Sequence, residues 1–203
     1  MSRSEESLKI LKKVVVDAFL FSLLGVGIYI TTHLWQPFKR GFFCGDESLM
    51  FPYRDDTVPS DILQIVGVTL PSLTIIICEY ILLRNHKDDK YCLGVRIPAW
   101  VRGAYCTLVS FCLGVIFMEL TANVAKNTIG RPRPHFFELC RPSIDCSSAE
   151  WKGRYIQYNE YRCLGTQRDK FRDMRMSFLS GHSAWAAYTM LYLAVSIGCI
   201  RED

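Results

Sequence analysis

N-glycosylation sequons of the N-x-S/T type are absent from the sequence, so glycosylation cannot mark which segments face the outside of a membrane. A clear small-residue cleavage site is also lacking after the first apolar run, where the sequence reads THLWQPFKRG. That absence favours a retained membrane anchor over a secretory signal peptide. The sequence also lacks evenly spread charge. Half of the 203 residues are apolar, and the charged residues lie in blocks. This pattern excludes a disordered chain.

Four apolar stretches are long enough to cross a bilayer, which needs about 20 residues of helix. The sequence therefore predicts an all-α fold, a polytopic bundle of transmembrane helices. Acidic residues inside a span are costly in lipid, so Asp17, Glu79 and Glu119 are expected to face other helices or lie near an interface. The predicted spans are residues 14–32, 62–83, 101–124 and 183–200.

The connection between the second and third predicted spans is short and basic, and it counts Lys87 among its cations. Short loops rich in Lys and Arg stay in the cytoplasm, which places the N-terminus on the cytoplasmic side as well. Residues 33–61 and 125–182 then form outer or luminal loops. The second of these loops is also basic, but the charge rule weakens for loops of about 60 residues. The expected location is the plasma membrane, with an internal membrane as the alternative.

Four cysteines lie in the two predicted outer loops, where an oxidising compartment would allow their thiols to pair. An even number is what two disulfides require, and the three connectivities stay open. These cysteines are Cys44, Cys140, Cys146 and Cys163.

The sequence KNTIGRPRPHFFELC begins with Lys126 and follows directly on the third predicted span. Gly130 and the two prolines after it are expected to end the helix, and prolines on both sides of Arg133 hold its backbone extended. A lysine as a point charge and an arginine as a planar fork, held together, suit a phosphate. The alternative is that Lys126, Arg131 and Arg133 are interfacial cations of the kind that flank many spans.

The fourth predicted span begins with Ser180, Gly181 and His182. A helix N-terminus offers unsatisfied N–H groups to an anion; Ser180 is a good N-cap, and Gly181 lets the backbone approach a ligand closely. Histidine titrates near neutral pH, so His182 beside a bound phosphate can donate a proton to a leaving oxygen. The alternative is that His182 is an ordinary polar residue at the level of the lipid headgroups.

The basic stretch QRDKFRDMRMSF, residues 167–178, alternates acidic and basic side chains. This alternation favours a solvated amphipathic segment near the membrane. The alternative is that it attracts anionic headgroups towards the site. Arg168, Lys170 and Arg175 are therefore not counted as site residues.

The pairing of KNTIGRPRP with SGH resembles the first two signature motifs of the type 2 phosphatidic acid phosphatases (PAP2), the integral-membrane lipid phosphate phosphatases related in fold to vanadium haloperoxidases. Lys126 and Arg133-Pro134 fit the first motif, a Lys followed after six residues by Arg-Pro. In the second motif Leu179 replaces a common proline. The stretches FCGDES and FPY in the first outer loop, and the placement of the outer cysteines, are similar to the animal subfamily.

The resemblance implies a metal-independent phosphomonoesterase without a cofactor. Its lipid substrates would be phosphatidate, lysophosphatidate, sphingosine phosphate and ceramide phosphate. Whether the chain forms homo-oligomers stays an open question. It implies that Lys126 and Arg133, with Ser180 and Gly181, hold the phosphate, and that His182 protonates the leaving lipid alcohol. Phosphoryl transfer needs mostly charge stabilisation and positioning, and these groups supply both.

In enzymes of this family a second histidine, which belongs to a third motif, attacks the phosphorus atom. This sequence lacks that motif, because no histidine follows His182. His33, His86 and His135 lie outside that motif. Without the nucleophile a phosphohistidine cannot form by the family route. We therefore expect residues 1–203 to be one truncated PAP2-type membrane domain with four of the family's six spans, catalytically deficient by itself.

An alternative from another class is a non-catalytic membrane isoform that binds lipid phosphates or associates with full-length subunits. Nucleic-acid binding is rejected, because the basic groups fall on the predicted non-cytoplasmic side and no nucleic-acid fold is evident.

Overall fold

The computed structural model describes residues 3–86 and 88–200, so Lys87 of the basic connection lies outside the described residues. The chain is mostly helical, as predicted, and four short strands form two small antiparallel sheets. The helices are α1 Arg3–Tyr29, α2 Ser60–Leu83, α3 Ala99–Ile129, α4 Phe136–Cys140 and α5 Gly181–Ile200, and the strands are β1 Phe42–Phe43, β2 Lys90–Cys92, β3 Val95–Ile97 and β4 Tyr155–Ile156. A π-helical turn, Ile30–Leu34, continues α1.

Three of the described helical segments are long and apolar enough to cross a membrane: Ser4–Leu34, Ser60–Leu83 and Ala99–Ile129. The first and third extend beyond the predicted spans, because the residues flanking each apolar run are helical too. The fourth predicted span is a helix, α5, but it is not among these three. Its crossing of the membrane stays a prediction.

The described chain divides into two compact units, and we describe each by itself. The first unit consists of Met1–Ile28, Val58–Leu120 and His182–Asp203, and the second of Tyr29–Thr57 and Thr121–Gly181. The expectation of a single domain over residues 1–203 stays a prediction.

Acidic side chains of the first unit bind polar groups on neighbouring helices, as the cost of a bare carboxylate in lipid predicts. Asp17 accepts a hydrogen bond of 2.9 Å from the hydroxyl of Tyr105. Glu79 accepts one of 2.7 Å from the hydroxyl of Thr107. Glu119 accepts one of 2.8 Å from the indole N–H of Trp185. These contacts confirm that the predicted spans pack as a bundle and are not separate anchors.

The core of the first unit is built around Phe111, which is fully buried together with Ile75. Tyr188 and Tyr192 of α5 pack on this core, and the hydroxyl of Tyr188 donates a hydrogen bond of 3.1 Å to the carbonyl oxygen of Phe111. Strands β2 and β3 form a hairpin through Leu93 and Gly94, both with positive φ.

The second unit has its own core, in which Phe42, Phe136 and Tyr161 meet at ring angles favourable for aromatic pairs. Strand β1 pairs with β4 antiparallel, with Phe42 opposite Ile156, and so joins the first predicted outer loop to the second. Two disulfides, Cys44–Cys146 and Cys140–Cys163, resolve the connectivity that the sequence left open.

Candidate functional site

Lys126 and Gly181, far apart in the sequence, lie together in the second unit. Lys126 is in the last turn of α3, and Gly181 is the first residue of α5. A Cβ atom added to Gly181 would lie 3.1 Å from the ammonium nitrogen of Lys126. The missing side chain of Gly181 therefore leaves its backbone open beside a cation, an arrangement suited to an anion.

The backbone around Gly130 ends α3 just beyond Lys126, as the sequence predicted. Gly130 has a φ of +57°, and a Cβ atom there would collide with the carbonyl oxygen of Phe38. The N–H of Gly130 donates to the carbonyl oxygen of Lys126 at 3.1 Å. The N–H of Phe38 donates to the carbonyl oxygen of Asn127 at 2.7 Å. These bonds satisfy carbonyl groups that a helix end leaves without partners, so the last turn is held in place.

Arg133 is fixed by Asp173, which the sequence analysis did not assign to the site. Its guanidinium donates to a carboxylate oxygen of Asp173 at 2.6 Å, and its backbone N–H donates to the carbonyl oxygen of Met174 at 2.8 Å. The two side chains are 31% and 46% exposed, so the pair is partly open to solvent. The Nε atom of Arg133 is buried and has no hydrogen-bond partner within residues 3–86 and 88–200. Arg133 is therefore held by Asp173 while its side chain stays partly exposed.

Ser180 is exposed immediately before α5. His182 follows Gly181 but belongs to the first unit, where its Nε2 atom donates to the carbonyl oxygen of Val58 at 2.9 Å. The convergence of His182 with Lys126 and Arg133, on which the phosphatase interpretation depends, stays a prediction.

His135, which lies outside the family's third motif, is partly buried. Its Nε2 atom is buried and has no hydrogen-bond partner in the described part of the chain, and its ring meets that of Tyr53 edge-on at 5.0 Å. Burial, and then the charge of Arg133, lower the pKa of His135. The imidazole is therefore biased towards its neutral form.

The interpretation of residues 167–178 as a solvated segment is wrong for its centre. Met174 and Arg175 are only 1% and 5% exposed. The guanidinium of Arg175 donates to the carbonyl oxygen of Arg40 at 3.1 Å and to the hydroxyl of Tyr161 at 2.9 Å, and it lies over the ring of Phe136. These partners compensate the charge for loss of water, so the segment folds into the core. The alternation of acidic and basic side chains indicated that some of them form ion pairs. It did not show which residues pair, such as Asp173 with Arg133.

No group of three or more His, Cys, Asp or Glu side chains arranged to hold a metal ion occurs among the described residues.

Comparison with known proteins identifies relatives over most of the sequence. Residues 107–202 match the model of the PAP2 superfamily, and all five candidate site residues lie within that stretch. The chain is 34% identical over 200 residues to a Drosophila melanogaster protein named as a phosphatidate phosphatase, with 92% of this chain and 53% of the relative covered. It is 33% identical over 190 residues to phospholipid phosphatase 1 of Rattus norvegicus, covering 90% and 62%. It is 30% identical over 187 residues to phospholipid phosphatase 2 of Homo sapiens, covering 91% and 61%.

The chain thus spans between 53% and 62% of the length of these relatives. No solved structure matches it significantly.

Proposed function

Because residues 107–202 match the model of the PAP2 superfamily, we propose that the chain belongs to this superfamily, binds the phosphate group of lipid phosphates at a membrane surface and contributes to their hydrolysis. The observation that carries the proposal is the ammonium of Lys126 beside the backbone of Gly181. The proposed site holds the phosphate with Lys126, Arg133, Ser180 and Gly181. His182 is the proposed general acid.

Each residue supplies one part of the chemistry of phosphoryl transfer. Lys126 neutralises a phosphate oxygen as a point charge, and Arg133 donates through the guanidinium nitrogens that Asp173 leaves free. As a water oxygen forms a bond to phosphorus, the bond between phosphorus and the lipid oxygen breaks, His182 transfers its proton to that lipid oxygen, and an alcohol and inorganic phosphate leave. To act in this way His182 gives up its hydrogen bond to Val58.

The proposed substrates are phosphatidate, lysophosphatidate, sphingosine phosphate and ceramide phosphate, at the outer or luminal face of the membrane. They share a phosphate monoester and an apolar chain. The proposed reaction needs no metal ion, because cationic side chains and backbone N–H groups supply the charge stabilisation. Selectivity among these lipids would depend on the groups that contact the headgroup beyond the phosphate.

A second candidate is binding of a lipid phosphate without turnover, alone or with full-length subunits. The specific observation is that His182 is hydrogen-bonded to the carbonyl oxygen of Val58 in the first unit, whereas Lys126 and Arg133 belong to the second. In this case Lys126 and Arg133 bind the phosphate and no phosphohistidine forms.

One experiment on the 203-residue chain, in phosphatidylcholine vesicles containing EDTA, distinguishes the two candidate functions. Binding of short-chain phosphatidate and release of phosphate are measured for the wild type, Lys126→Gln, His182→Ala and the control Lys152→Gln, which removes an exposed charge elsewhere in the second unit. Release that is lost in Lys126→Gln and His182→Ala supports the hydrolase. Binding without release, weakened by Lys126→Gln alone, supports the second candidate. If Lys126→Gln and Lys152→Gln behave alike, Lys126 has no role in phosphate binding and both candidates fail.

A further inference from the structure

A cavity of about 750 Å³ lies within the first unit, among α1, the connection after α2, the β2–β3 hairpin and the first turns of α3. The hydroxyl of Ser7 on α1 donates to the carbonyl oxygen of Tyr91 in the hairpin at 3.1 Å, so α1 and the hairpin are joined at this end. The cavity is larger than a single side chain and falls in the size range of ligand sites. None of its residues belongs to the proposed phosphate site.

The walls of the cavity combine apolar side chains with an excess of positive charge. Aliphatic groups come from α1, α2, β3 and α3, among them Ile10, Val14, Leu83, Ile97 and Val101. Among the described residues, four cations and one carboxylate, that of Asp88, line the same cavity. The cations are Lys9, Lys13, Lys90 and Arg102.

Arg102 marks the polar end of the cavity. Its guanidinium donates to the carboxylate of Asp88 at 2.9 Å and to the carbonyl oxygen of the same residue at 2.6 Å. The hydrogen bond from Arg102 lowers the pKa of Asp88, so this carboxylate is ionised and neutralises one cation only. The Nε atom of Arg102 is buried without a hydrogen-bond partner among the described residues. Asp88 therefore leaves part of the hydrogen-bonding capacity of Arg102 unmet, and an unmet buried donor is costly.

Lys13 approaches the cavity from α1, and its ammonium donates to the sulfur of Cys106 on α3 at 3.0 Å. A thiol is a weak acceptor, so the ammonium gains little from this bond and can still bind an anion. Cys106 lines the cavity and is exposed, which makes its thiol a reporter of occupancy.

We propose that this cavity binds one anionic phospholipid, with the headgroup phosphate on Lys13 and Arg102 and acyl carbons against the aliphatic wall. A free phosphate ion would leave the apolar wall uncovered, and an uncharged lipid would offer no anion to Lys13 and Arg102. An anionic phospholipid satisfies both parts of the cavity. The cavity lies at the basic connection, which the charge rule places at the cytoplasmic leaflet, where phosphatidylserine and phosphatidylinositol are the abundant anionic lipids.

The bound lipid would connect α1, the hairpin and α3 and thereby hold the bundle together at this end. This role does not depend on the proposed phosphatase activity, because it uses different residues and a phosphodiester headgroup.

The test compares the intact chain with Lys13→Gln and with a matched control, Lys12→Gln. Both substitutions remove one exposed charge from neighbouring positions of α1, but Lys12 does not line the cavity. The proteins are extracted from vesicles of equimolar phosphatidylcholine and phosphatidylserine, and retained lipid is measured by native mass spectrometry. We expect Lys13→Gln to retain about fivefold less phosphatidylserine than the wild type, while Lys12→Gln retains as much as the wild type.

A second measurement identifies the ligand, using site-resolved alkylation of Cys106 followed by peptide mass spectrometry. Phosphatidylserine is expected to slow alkylation of Cys106 in the wild type, and phosphatidylcholine or inorganic phosphate is not. Equal protection by phosphatidylcholine would mean an unselective lipid cavity, and equal protection by inorganic phosphate would mean a free-anion site. Either result overturns the proposal, as does equal loss of phosphatidylserine in the two lysine variants.

Discussion

The side-chain amide of Asn127 donates a hydrogen bond of 2.7 Å to the carbonyl oxygen of Thr31, and both residues are buried, with exposures of 2% and 5%. This contact joins the last turn of α3 to the π-helical turn after α1. The same carbonyl oxygen accepts a second bond, of 3.1 Å, from the guanidinium of Arg172. Asn127 follows Lys126 directly, so the contact also fixes the helix end that carries the proposed phosphate-binding lysine.

Replacing Asn127 with Ala should lower the free energy of unfolding by about 1 to 2 kcal/mol, because a buried hydrogen bond is lost. That loss corresponds to a drop of about 3 to 6 °C in the melting temperature measured in detergent. The matched control is Asn123→Ala, one turn earlier, whose bond to the hydroxyl of Thr32 is longer, at 3.4 Å. Equal shifts in the two variants would show that the Asn127 contact contributes nothing particular to stability.

Replacing Gly181 with Val should displace the ammonium of Lys126 and weaken binding of short-chain phosphatidate by about tenfold, the equivalent of one charge-assisted hydrogen bond. Gly181→Ala should have a smaller effect, because the flexible lysine can move by a few tenths of an ångström. Gly198→Val in the same helix has open space around its Cβ position and serves as the control. If Gly198→Val and Gly181→Val bind the lipid equally well, the proximity of Gly181 to Lys126 is irrelevant to binding.

The two disulfides should stabilise the second unit by different amounts. Cys44–Cys146 spans 102 residues and Cys140–Cys163 spans 23, for which chain entropy predicts about 5 and about 3 kcal/mol. The double variant Cys44→Ser with Cys146→Ser should therefore melt at a lower temperature than Cys140→Ser with Cys163→Ser. A reversed order of melting temperatures would contradict this account. Peptide mapping without reduction should recover the same two pairs.

Acid should destabilise the fold through His135. Because its pKa is lower in the folded chain than its ordinary value of about 6.5, the unfolded chain binds the proton more tightly. Stability is then full above about pH 6.5 and falls as the pH drops below it. His135→Gln should reduce this acid-side loss in thermal melts recorded at several pH values, and the control His86→Gln should retain it. A wild-type-like acid profile in His135→Gln would refute the assignment.

The sequence by itself determined the features that depend on local composition. Long apolar runs are stable in lipid only as helices, so α1, α2 and α3 could be predicted, although most of their ends could not. Gly130 with its neighbouring prolines determined where α3 stops. The cost of carboxylates in lipid predicted that Asp17, Glu79 and Glu119 would find partners, and motif spacing indicated the resemblance to the superfamily whose model matches residues 107–202.

Only the tertiary structure decided which distant residues meet. The four outer cysteines can pair in three ways, and the sequence is compatible with each. The structure has Cys44–Cys146 and Cys140–Cys163, together with the pairing of β1 and β4. Likewise, nothing local distinguishes Asp173 as the partner of Arg133, or Arg175 as a buried charge. The physical reason is that local propensities act over a few residues, whereas contacts such as Lys126 with Gly181 depend on the path of the whole chain between them.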